Sequence, residues 1–495
     1  MAARRCASAL WMIGIACLVP LCAMGQIMFE RTYGGPDGDW AYRAEETSDG
    51  GYIIAGLTWS YGPGAEDVYL IKTDSAGDTV WTRGYGGPAG DWGWSVEQTS
   101  DGGYIITGLT WSFGAGAEDL YLIKTDSGGD TVWTRAHGGP DGDWGYSVEE
   151  TNDGGYIVAG GTWSFGAGAE DVYLIKTDSG GDTVWTRTYG GAAGDWAYWV
   201  EQTSDGGYII TGLTWSYGAG AEDVYLIKTD DVGDTMWTRT YGGAAGDWGW
   251  LVEETSDGGY IIGGLTWSYG AGAEDVYLIK TDDVGDTVWT RTYGGAAGDW
   301  GYWVEQTSDG GYIITGLTWS FGAGAEDIYL IKTDGFGHTV WTRTYGGAAG
   351  DWGWSVEETS DGGYIIAGLT WSYGAGAEDV YLIKTDANGL VQVTEGPQEI
   401  PRPASWHLGQ NHPNPFGAAT TITYALPDPQ PVALAIYDIR GARVRELVSG
   451  TVSAGQHQVV WDGRDGRGHN VASGIYFCSM EAGGLRETRR MVLLR

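Results

Sequence analysis

Two short segments that recur in each of seven repeats carry the residues best suited to binding chemistry. Asp39 and Trp40 belong to one segment, Glu66 and Asp67 to the other, and each pair returns after 52 residues. Carboxylate oxygens suit Ca²⁺, and aromatic faces beside hydrogen-bond acceptors suit sugars. The candidate binding residues are Asp39, Trp40, Glu66, Asp67, Asp91, Trp92, Glu118, Asp119, Asp143, Trp144, Glu170, Asp171, Asp195, Trp196, Glu222, Asp223, Asp247, Trp248, Glu274, Asp275, Asp299, Trp300, Glu326, Asp327, Asp351, Trp352, Glu378 and Asp379.

This acidic set has a structural alternative, in which each Trp packs between repeats and each Asp caps a turn. If the set is a site, bridging of its carboxylates by Ca²⁺ should raise the melting temperature of the repeats. A neighbouring position varies strongly between repeats, and residues there should then matter least for binding. That variable position is represented by Arg43, Ser95, Trp199, Leu251 and Trp303.

No recognisable catalytic arrangement accompanies these residues. Of six His, only His137 and His338 lie in the repeats, each replacing a different residue type. Metalloprotease, serine-hydrolase, phosphate-loop and EF-hand patterns are absent from the sequence. Acid–base catalysis needs groups with different pKa values, which near-identical repeats do not favour. We therefore expect a non-enzymatic protein without a cofactor, with a secreted hydrolase as an alternative.

Composition restricts the class of protein further. The chain has 495 residues, including 88 Gly, 28 Trp and 31 Tyr, and a formal net charge of −38. That charge argues against a nucleic-acid partner, because such binding depends on cationic neutralisation of phosphates. The content of aromatic and aliphatic residues argues against a disordered chain.

The N-terminus has the features of a secretory signal. Arg4 and Arg5 precede a nearly continuous apolar stretch, and small residues precede Gln26, so residues 1–25 are predicted to be removed on export. Lipoprotein processing at Cys17 is the minority alternative. Removal of the signal leaves Cys478 as the single thiol and no transmembrane span in the mature chain.

The repeats are predicted to form a seven-bladed β-propeller over residues 26–396, with a parallel solenoid as the alternative. In the unit 81–132, strands rich in β-branched and aromatic residues are separated by Gly- and Asp-containing turns. The four predicted strands are Trp94–Thr99, Gly103–Ser112, Asp119–Thr125 and Thr131–Arg135. Loops from the second to the third strand and from the fourth to the next first strand should share one face, and Ile27–Tyr33 should close the ring.

The segment LIKTDSGGDTVWT, residues 122–134, resembles the Asp-x-x-Gly-x-x-x-Trp blade signature of quinoprotein-like bacterial propellers. This resemblance implies a propeller blade and no particular chemistry.

The tail has a different composition, with a Pro-rich linker at 397–407 followed by alternating strands that predict a small β-sandwich over residues 408–495. Its ordered motifs are NHPNPF from Asn411, ITYALP from Ile422, IYD from Ile436, WDGRD from Trp461 and VASGIY from Val471. This series resembles the C-terminal sorting domain of the type IX secretion system and the similar immunoglobulin-like domain of flagellar hook-capping proteins. A plain adhesion-like sandwich is the alternative.

These resemblances imply an exported interaction scaffold, located at the surface of a Gram-negative-type bacterium or in the medium. The type IX secretion machinery would be its partner through residues 408–495, together with an extracellular protein or glycan. A lectin-like propeller that binds sugar or Ca²⁺ is the alternative for the repeats.

Overall fold

The computed structural model describes most of the chain and divides it into two compact units, Met1–Gln392 and Val393–Arg495. The predicted signal at 1–25 lies outside the described residues, as does the linker apart from His407. Within the described part, no helix is long and apolar enough to cross a membrane. The described residues are 27–391, 407–409, 411, 414–417, 419–426, 430–452, 455–483 and 485–494.

The first unit contains seven antiparallel four-stranded sheets, which follow one another in chain order as blades 1 to 7. Each inner strand contacts the inner strand of the next blade, and the seventh contacts the first. The seven-bladed propeller is confirmed, and antiparallel pairing throughout the blades excludes the parallel solenoid.

The strands of the blades have closely similar bounds. The inner strands are Asp39–Glu46, Asp91–Gln98, Asp143–Glu150, Asp195–Gln202, Asp247–Glu254, Asp299–Gln306 and Asp351–Glu358. The second strands are Tyr52–Thr58, Tyr104–Thr110, Tyr156–Thr162, Tyr208–Thr214, Tyr260–Thr266, Tyr312–Thr318 and Tyr364–Thr370. The third strands are Asp67–Thr73, Asp119–Thr125, Asp171–Thr177, Asp223–Thr229, Asp275–Thr281, Asp327–Thr333 and Asp379–Thr385. The outer strands are Thr79–Tyr85, Thr131–His137, Thr183–Tyr189, Thr235–Tyr241, Thr287–Tyr293, Thr339–Tyr345 and, in blade 7, Phe29–Tyr33.

The N-terminal strand closes the ring, as predicted. Phe29–Tyr33 pairs antiparallel with Asp379–Thr385, so the last blade is built from both ends of the repeat region. Phe29 is 2% exposed and shares a cluster with Tyr52 of blade 1 and Leu382 of blade 7. The closing strand therefore contributes to the core between the first and last blades.

The second and third strands are buried on both faces because each sheet is covered by its two neighbours. In the cluster between blades 1 and 2, Ile53 and Leu70 pack with Val96 and Tyr104. Burial of apolar side chains contributes roughly 25 cal/mol per Å² removed from water. Packing between blades thus supplies the stability that a single small sheet lacks.

A β-bulge lies at the fourth residue of each inner strand. In blade 1, Ala41 pairs with Gly56 and Arg43 with Ala55, which leaves Tyr42 without a partner in the ladder. A Cβ atom at Gly56 would overlap the carbonyl oxygen of Trp40, so this bulge requires glycine on the second strand. The bulge changes the alternation of side chains along the inner strand.

The two predicted sets of loops do share one face of the propeller. The Trp59 N–H donates to the carbonyl of Gly38 at 2.9 Å, which joins the two kinds of loop within blade 1. The Asp91 N–H donates to the carbonyl of Glu66 at 2.9 Å, which joins blade 2 to blade 1. We call this side of the propeller the aromatic face, after the residues described below.

The described residues of the second unit form two antiparallel sheets, which agrees with the predicted sandwich. One sheet contains His407–Leu408, Thr420–Leu426 and Gly455–Trp461, and the other contains Arg443–Val452, Gln430–Asp438, Gly474–Ala482 and Leu485–Leu493. The core surrounds Trp461, which is 0% exposed and donates its indole N–H to the carbonyl of Arg464 at 2.9 Å. Arg443–Val452 is a strand that the sequence analysis did not identify.

Candidate functional site

Seven aromatic rings, one at the bulge of each inner strand, line a single cavity of about 260 Å³ in the centre of the propeller. Two further indoles, Trp199 and Trp303, complete its lining. The bulge places Tyr198 and Trp199, which are consecutive in sequence, on the same cavity. We call this cavity the aromatic cup. Its seven bulge residues are Tyr42, Trp94, Tyr146, Tyr198, Trp250, Tyr302 and Trp354.

The bulge rings contact one another in an alternating pattern around the cup. Stacked pairs with centroids 4.2 to 4.3 Å apart are Trp94 with Tyr146, Tyr198 with Trp250, and Tyr302 with Trp354. Edge-on contacts of 5.3 to 5.5 Å join these pairs to one another and Trp354 to Tyr42. Because seven is odd, Tyr42 has no stacked partner. In each stacked pair, one face of each ring is covered by its partner.

Trp199 and Trp303 form the floor of the cup and separate it from a second chamber, because both side chains line both cavities. Their rings meet edge to face at 4.7 Å. The Arg43 guanidinium lies over both indoles, 4.9 Å from the Trp199 ring and 5.4 Å from the Trp303 ring. Arg43 also donates to the Ser95 hydroxyl at 2.9 Å. Arg43 lines only the second chamber, so its charge lies on the far side of the floor.

The second chamber, of about 250 Å³, contains one glutamate from the seventh position of each inner strand. Each carboxylate accepts a hydrogen bond from a backbone N–H of the next blade, at 2.6 to 3.2 Å. We call these residues the glutamate ring; they are Glu45, Glu97, Glu149, Glu201, Glu253, Glu305 and Glu357.

Burial raises the pKa of every carboxyl in the glutamate ring. The pKa is raised to about 7 for Glu149, Glu253 and Glu357, to about 8 for Glu97, and to about 9 for Glu201 and Glu305. Burial also raises the pKa of Glu45, although the positive charge of Arg43 lowers it in part. In Glu201 and Glu305 neighbouring glutamates add to the effect of burial. The ring therefore holds protons at a pH where an exposed carboxyl is ionised.

The aspartates predicted to bind ligand lie on the aromatic face, but all fourteen are at most 2% exposed. The Asp39 carboxylate accepts hydrogen bonds from the Gly35 N–H at 2.7 Å and from the Ser60 and Thr58 hydroxyls. The Asp67 carboxylate accepts one from the Gly64 N–H at 2.8 Å. These bonds hold the loops in place, as expected if each aspartate caps a turn.

The structure also pairs these aspartates across blade boundaries. Asp39 lies near Asp379 of blade 7, and Asp67 lies near Asp91 of blade 2. Burial raises the pKa of Asp39 and of Asp67, and the negative charge of the neighbouring aspartate raises each pKa further. No group of three or more His, Cys, Asp or Glu suited to a metal ion occurs among the described residues. The calcium response and the ligand role of this set stay predictions.

The predicted tryptophans and glutamates are half-buried parts of an aromatic network. Trp40 contacts Trp59 at 5.5 Å and Tyr42 at 6.2 Å, which links the loops to the cup. In blade 5, the Trp267 indole donates to Glu274 at 3.0 Å. The aromatic face therefore continues inward, ring against ring, to the bulge residues.

A set of exposed aromatic residues, the aromatic rim, lies in the loops of this face. The residue two positions after each loop tryptophan is 44 to 48% exposed in all seven blades, and four of those tryptophans are 38 to 51% exposed. The aromatic rim consists of Tyr61, Trp111, Phe113, Trp163, Phe165, Trp215, Tyr217, Tyr269, Trp319, Phe321 and Tyr373.

The bulge aromatics and the glutamate ring are not among the residues that the sequence pattern predicts. The variable position, represented by Trp199 and Trp303, was recognised but was assigned to the neighbourhood of the acidic loops. The glycine inside each second strand, such as Gly56, was the available signal, because an interior glycine often marks a bulge.

Comparisons with known proteins give a family match within the second unit. Residues 414–484 match the family model of the FlgD Ig-like domain. No curated protein matches the sequence of the chain.

Solved structures resemble the chain at low identity. PorZ, described as an essential bacterial surface component of the type-IX secretion system of Porphyromonas gingivalis, is 14% identical with a TM-score of 0.42; the alignment covers 94% of this chain and 60% of that one. The β-propeller domain of the Trilobed protease from Pyrococcus furiosus is 9% identical with a TM-score of 0.38, over 71% of this chain and 96% of that one. Puromycin hydrolase is 13% identical with a TM-score of 0.42, over 78% of this chain and 59% of that one. These likenesses concern the fold alone.

Proposed function

We propose that the chain is an exported, non-enzymatic binding protein that presents its aromatic face to a partner outside the cell. Residues 408–495 act as its type IX secretion sorting domain. The predicted signal at 1–25 and the ordered tail motifs support export by this route, and the matched immunoglobulin-like region supports the nature of the tail.

The aromatic rim is the observation that carries the binding role. Single exposed apolar residues are normal on protein surfaces, but a set of eleven exposed aromatic residues on one face of the propeller favours an interaction site. Phe113 is 45% exposed and Trp111 is 40% exposed, and equivalent rings are exposed in the corresponding loops of the other blades. Exposure of these aromatic rings to water is unfavourable, and their burial against a partner would lower the free energy.

The glutamate ring supports a non-enzymatic role rather than a secreted hydrolase. Glycoside hydrolysis needs one protonated carboxyl and one ionised carboxylate at defined separation. In this ring burial raises the pKa of every member, so none of these carboxylates is kept ionised by a lowered pKa. Its hydrogen bonds to the next blade also give each carboxylate a structural role.

Cell fractionation tests the proposal. The full chain and a variant ending at Gly396 are expressed in a bacterium that has a type IX secretion system. The full chain should reach the surface or the medium, and the truncated chain should stay in the periplasm with a propeller-like circular dichroism spectrum. Export of the truncated chain at normal levels would contradict the sorting role.

Turnover tests the second half of the proposal. The purified full chain should release no p-nitrophenol above the buffer rate from chromogenic ester and glycoside substrates. Turnover that disappears in the variant Glu201→Gln would instead support the hydrolase.

A further inference from the structure

We infer that the aromatic cup binds one terminal ring of an uncharged saccharide, which lies on the indole floor made by Trp199 and Trp303. This inference rests on the proposed binding function and names the ligand class and the position of the site. It gives the variable position of the inner strand the leading role, opposite to the expectation from the sequence.

The floor of the cup suits the apolar C–H face of a sugar ring. Trp199 and Trp303 line the cup, and Arg43 holds both indoles from the other chamber at 4.9 and 5.4 Å. A cation over an aromatic face adds roughly 0.5–2 kcal/mol of attraction, which fixes the orientation of the rings. The planes of the two indoles meet at 78°, so one of them offers its face to a flat ligand and the other its edge. A rigid aromatic surface loses little entropy when a ligand packs on it.

The wall of the cup supplies hydrogen-bond donors. The indole nitrogens of Trp250 and Trp354 are buried and have no hydrogen-bond partner among the described residues. Leaving a buried donor without a partner costs about 1–3 kcal/mol, which an acceptor on a ligand would recover once a small rotation of the indole brings its N–H to the cavity surface. Burial raises the pKa of the Tyr146 hydroxyl, so this group stays protonated and can both donate and accept. Sugar hydroxyls complement both kinds of group.

The charge of the cup selects a neutral ligand. Its nine lining residues are Trp and Tyr, so no charged side chain among them would pair with an ion. The Arg43 guanidinium already lies over both floor indoles, so its positive charge would repel a second cation placed on them from the cup. The net charge of −38 disfavours an anion.

The size of the cup selects a small group that enters end-on. Its volume of about 260 Å³ lies just below the roughly 300 Å³ at which pockets for drug-sized ligands begin. The aromatic rim offers further stacking surfaces, so the remaining units of a longer glycan would lie across exposed rings such as Trp111 and Phe113.

Isothermal titration calorimetry of the full chain tests this inference, with glucose, galactose, mannose and N-acetylglucosamine and their disaccharides as probes. Choline and galacturonic acid are the charged comparison ligands. The variants Trp199→Ser and Trp303→Ser remove the floor. Serine is the natural residue at this position of the inner strand in blade 2, where it is Ser95. Leu251→Ser is the matched control, because Leu251 holds this position in blade 5 but lines only the glutamate chamber.

At least one neutral sugar should bind, and either floor variant should weaken its affinity at least tenfold. Leu251→Ser should change that affinity less than twofold. Trp250→Phe should weaken it several-fold, because phenylalanine lacks the indole N–H and one of the two fused rings. The inference is overturned if none of the neutral sugars binds, if choline or galacturonic acid binds more tightly than they do, or if the floor variants bind sugar normally. None of these results would affect the export and turnover tests of the proposed function.

Discussion

The carboxylate of Glu357 accepts a hydrogen bond from the backbone N–H of Glu46 at 2.8 Å, across 311 positions of the sequence. Glu357 is in the last blade and Glu46 is in the first, so this bond belongs to the closure of the ring. The same bond recurs at the other six blade boundaries, as for Glu201 and the N–H of Glu254 at 3.1 Å. One circle of carboxylates therefore joins all seven blades.

The glutamate ring should make the propeller less stable as pH rises. Burial raises the folded-state pKa of its members, to about 9 for Glu201, whereas an unfolded glutamate has a pKa of about 4.3. Between these values the folded state binds more protons than the unfolded state, so the free energy of unfolding falls with increasing pH. We expect the melting temperature to decrease by several degrees from pH 5 to pH 9, measured by calorimetry.

The variant Glu201→Gln tests whether the glutamate ring causes the slope of melting temperature against pH. Glutamine keeps an oxygen acceptor for the N–H of Glu254 and cannot ionise, so the slope should become shallower. Glu66→Gln, in a loop of the aromatic face, is the control and should keep the wild-type slope. An unchanged slope in Glu201→Gln would mean that other groups cause the dependence.

The fold was largely predictable from the sequence because the same pattern of strand and turn residues occurs in all seven repeats. The third strand of blade 2 was predicted as Asp119–Thr125 and is observed with those bounds. The inner strand was predicted as Trp94–Thr99 but spans Asp91–Gln98. Its first residues include a glycine and precede the bulge, so they do not show the simple alternation by which a strand is recognised.

The candidate site was less predictable, because the bulge decides which side chains face the channel. Alternation alone would place Tyr42 and Arg43 on opposite sides of the strand, whereas both line the central cavities. Burial of Asp39 was equally hard to foresee, since loop aspartates are usually exposed. A repeated sequence fixes which residues recur, and the backbone irregularity determines where they point.

The closing strand should depend on the side chain of Phe29. The variant Phe29→Ala should lower the free energy of unfolding by about 3–5 kcal/mol, because it leaves a cavity between blades 1 and 7. Deletion of Ile27–Tyr33 should have a larger effect, since Asp379–Thr385 would become an unpaired edge. Chemical denaturation of the full chain measures both.

Phe29→Trp is the matched control for that prediction. The aligned residue of the outer strand is tryptophan in the other six blades, as Trp81 shows, so this variant should keep most of the stability. A wild-type denaturation midpoint in Phe29→Ala would show that the strand does not contribute to closure.

A buried lysine holds one turn of each blade and should govern stability in acid. In blade 2, Lys124 is 4% exposed and donates to Asp101 at 2.9 Å and to the carbonyl of Thr125 at 2.8 Å. Burial of Asp101 raises its pKa, but hydrogen bonds from Thr99, Lys124 and the Gly103 N–H outweigh this and lower the pKa to about 2. Its contribution is present above pH 4 and lost as pH falls through about 2.

The variant Asp101→Asn should therefore destabilise the propeller by roughly 1–3 kcal/mol at pH 7 and less at pH 2. Asp78→Asn is the control, because Asp78 is exposed and lies 3.8 Å from Arg31, where an ion pair contributes less than about 1 kcal/mol. Equal losses in the two variants at pH 7 would contradict a special role for the buried lysine.

The second unit should unfold separately when its central tryptophan is removed. Trp461 contacts Tyr476 at 5.1 Å and Phe416 at 5.5 Å, and its indole N–H is bonded to the Arg464 carbonyl. The variant Trp461→Ala should destabilise this unit by about 3–5 kcal/mol and leave the melting of the propeller unchanged. Trp461→Phe should lower the stability of the unit less, because phenylalanine keeps most of the packing and loses only the hydrogen bond and part of the ring.

If the folded tail is the export address, Trp461→Ala should also accumulate in the periplasm while Trp461→Phe is exported. Normal export of Trp461→Ala, with its tail shown to be unfolded by limited proteolysis, would mean that the machinery reads the tail as an extended sequence.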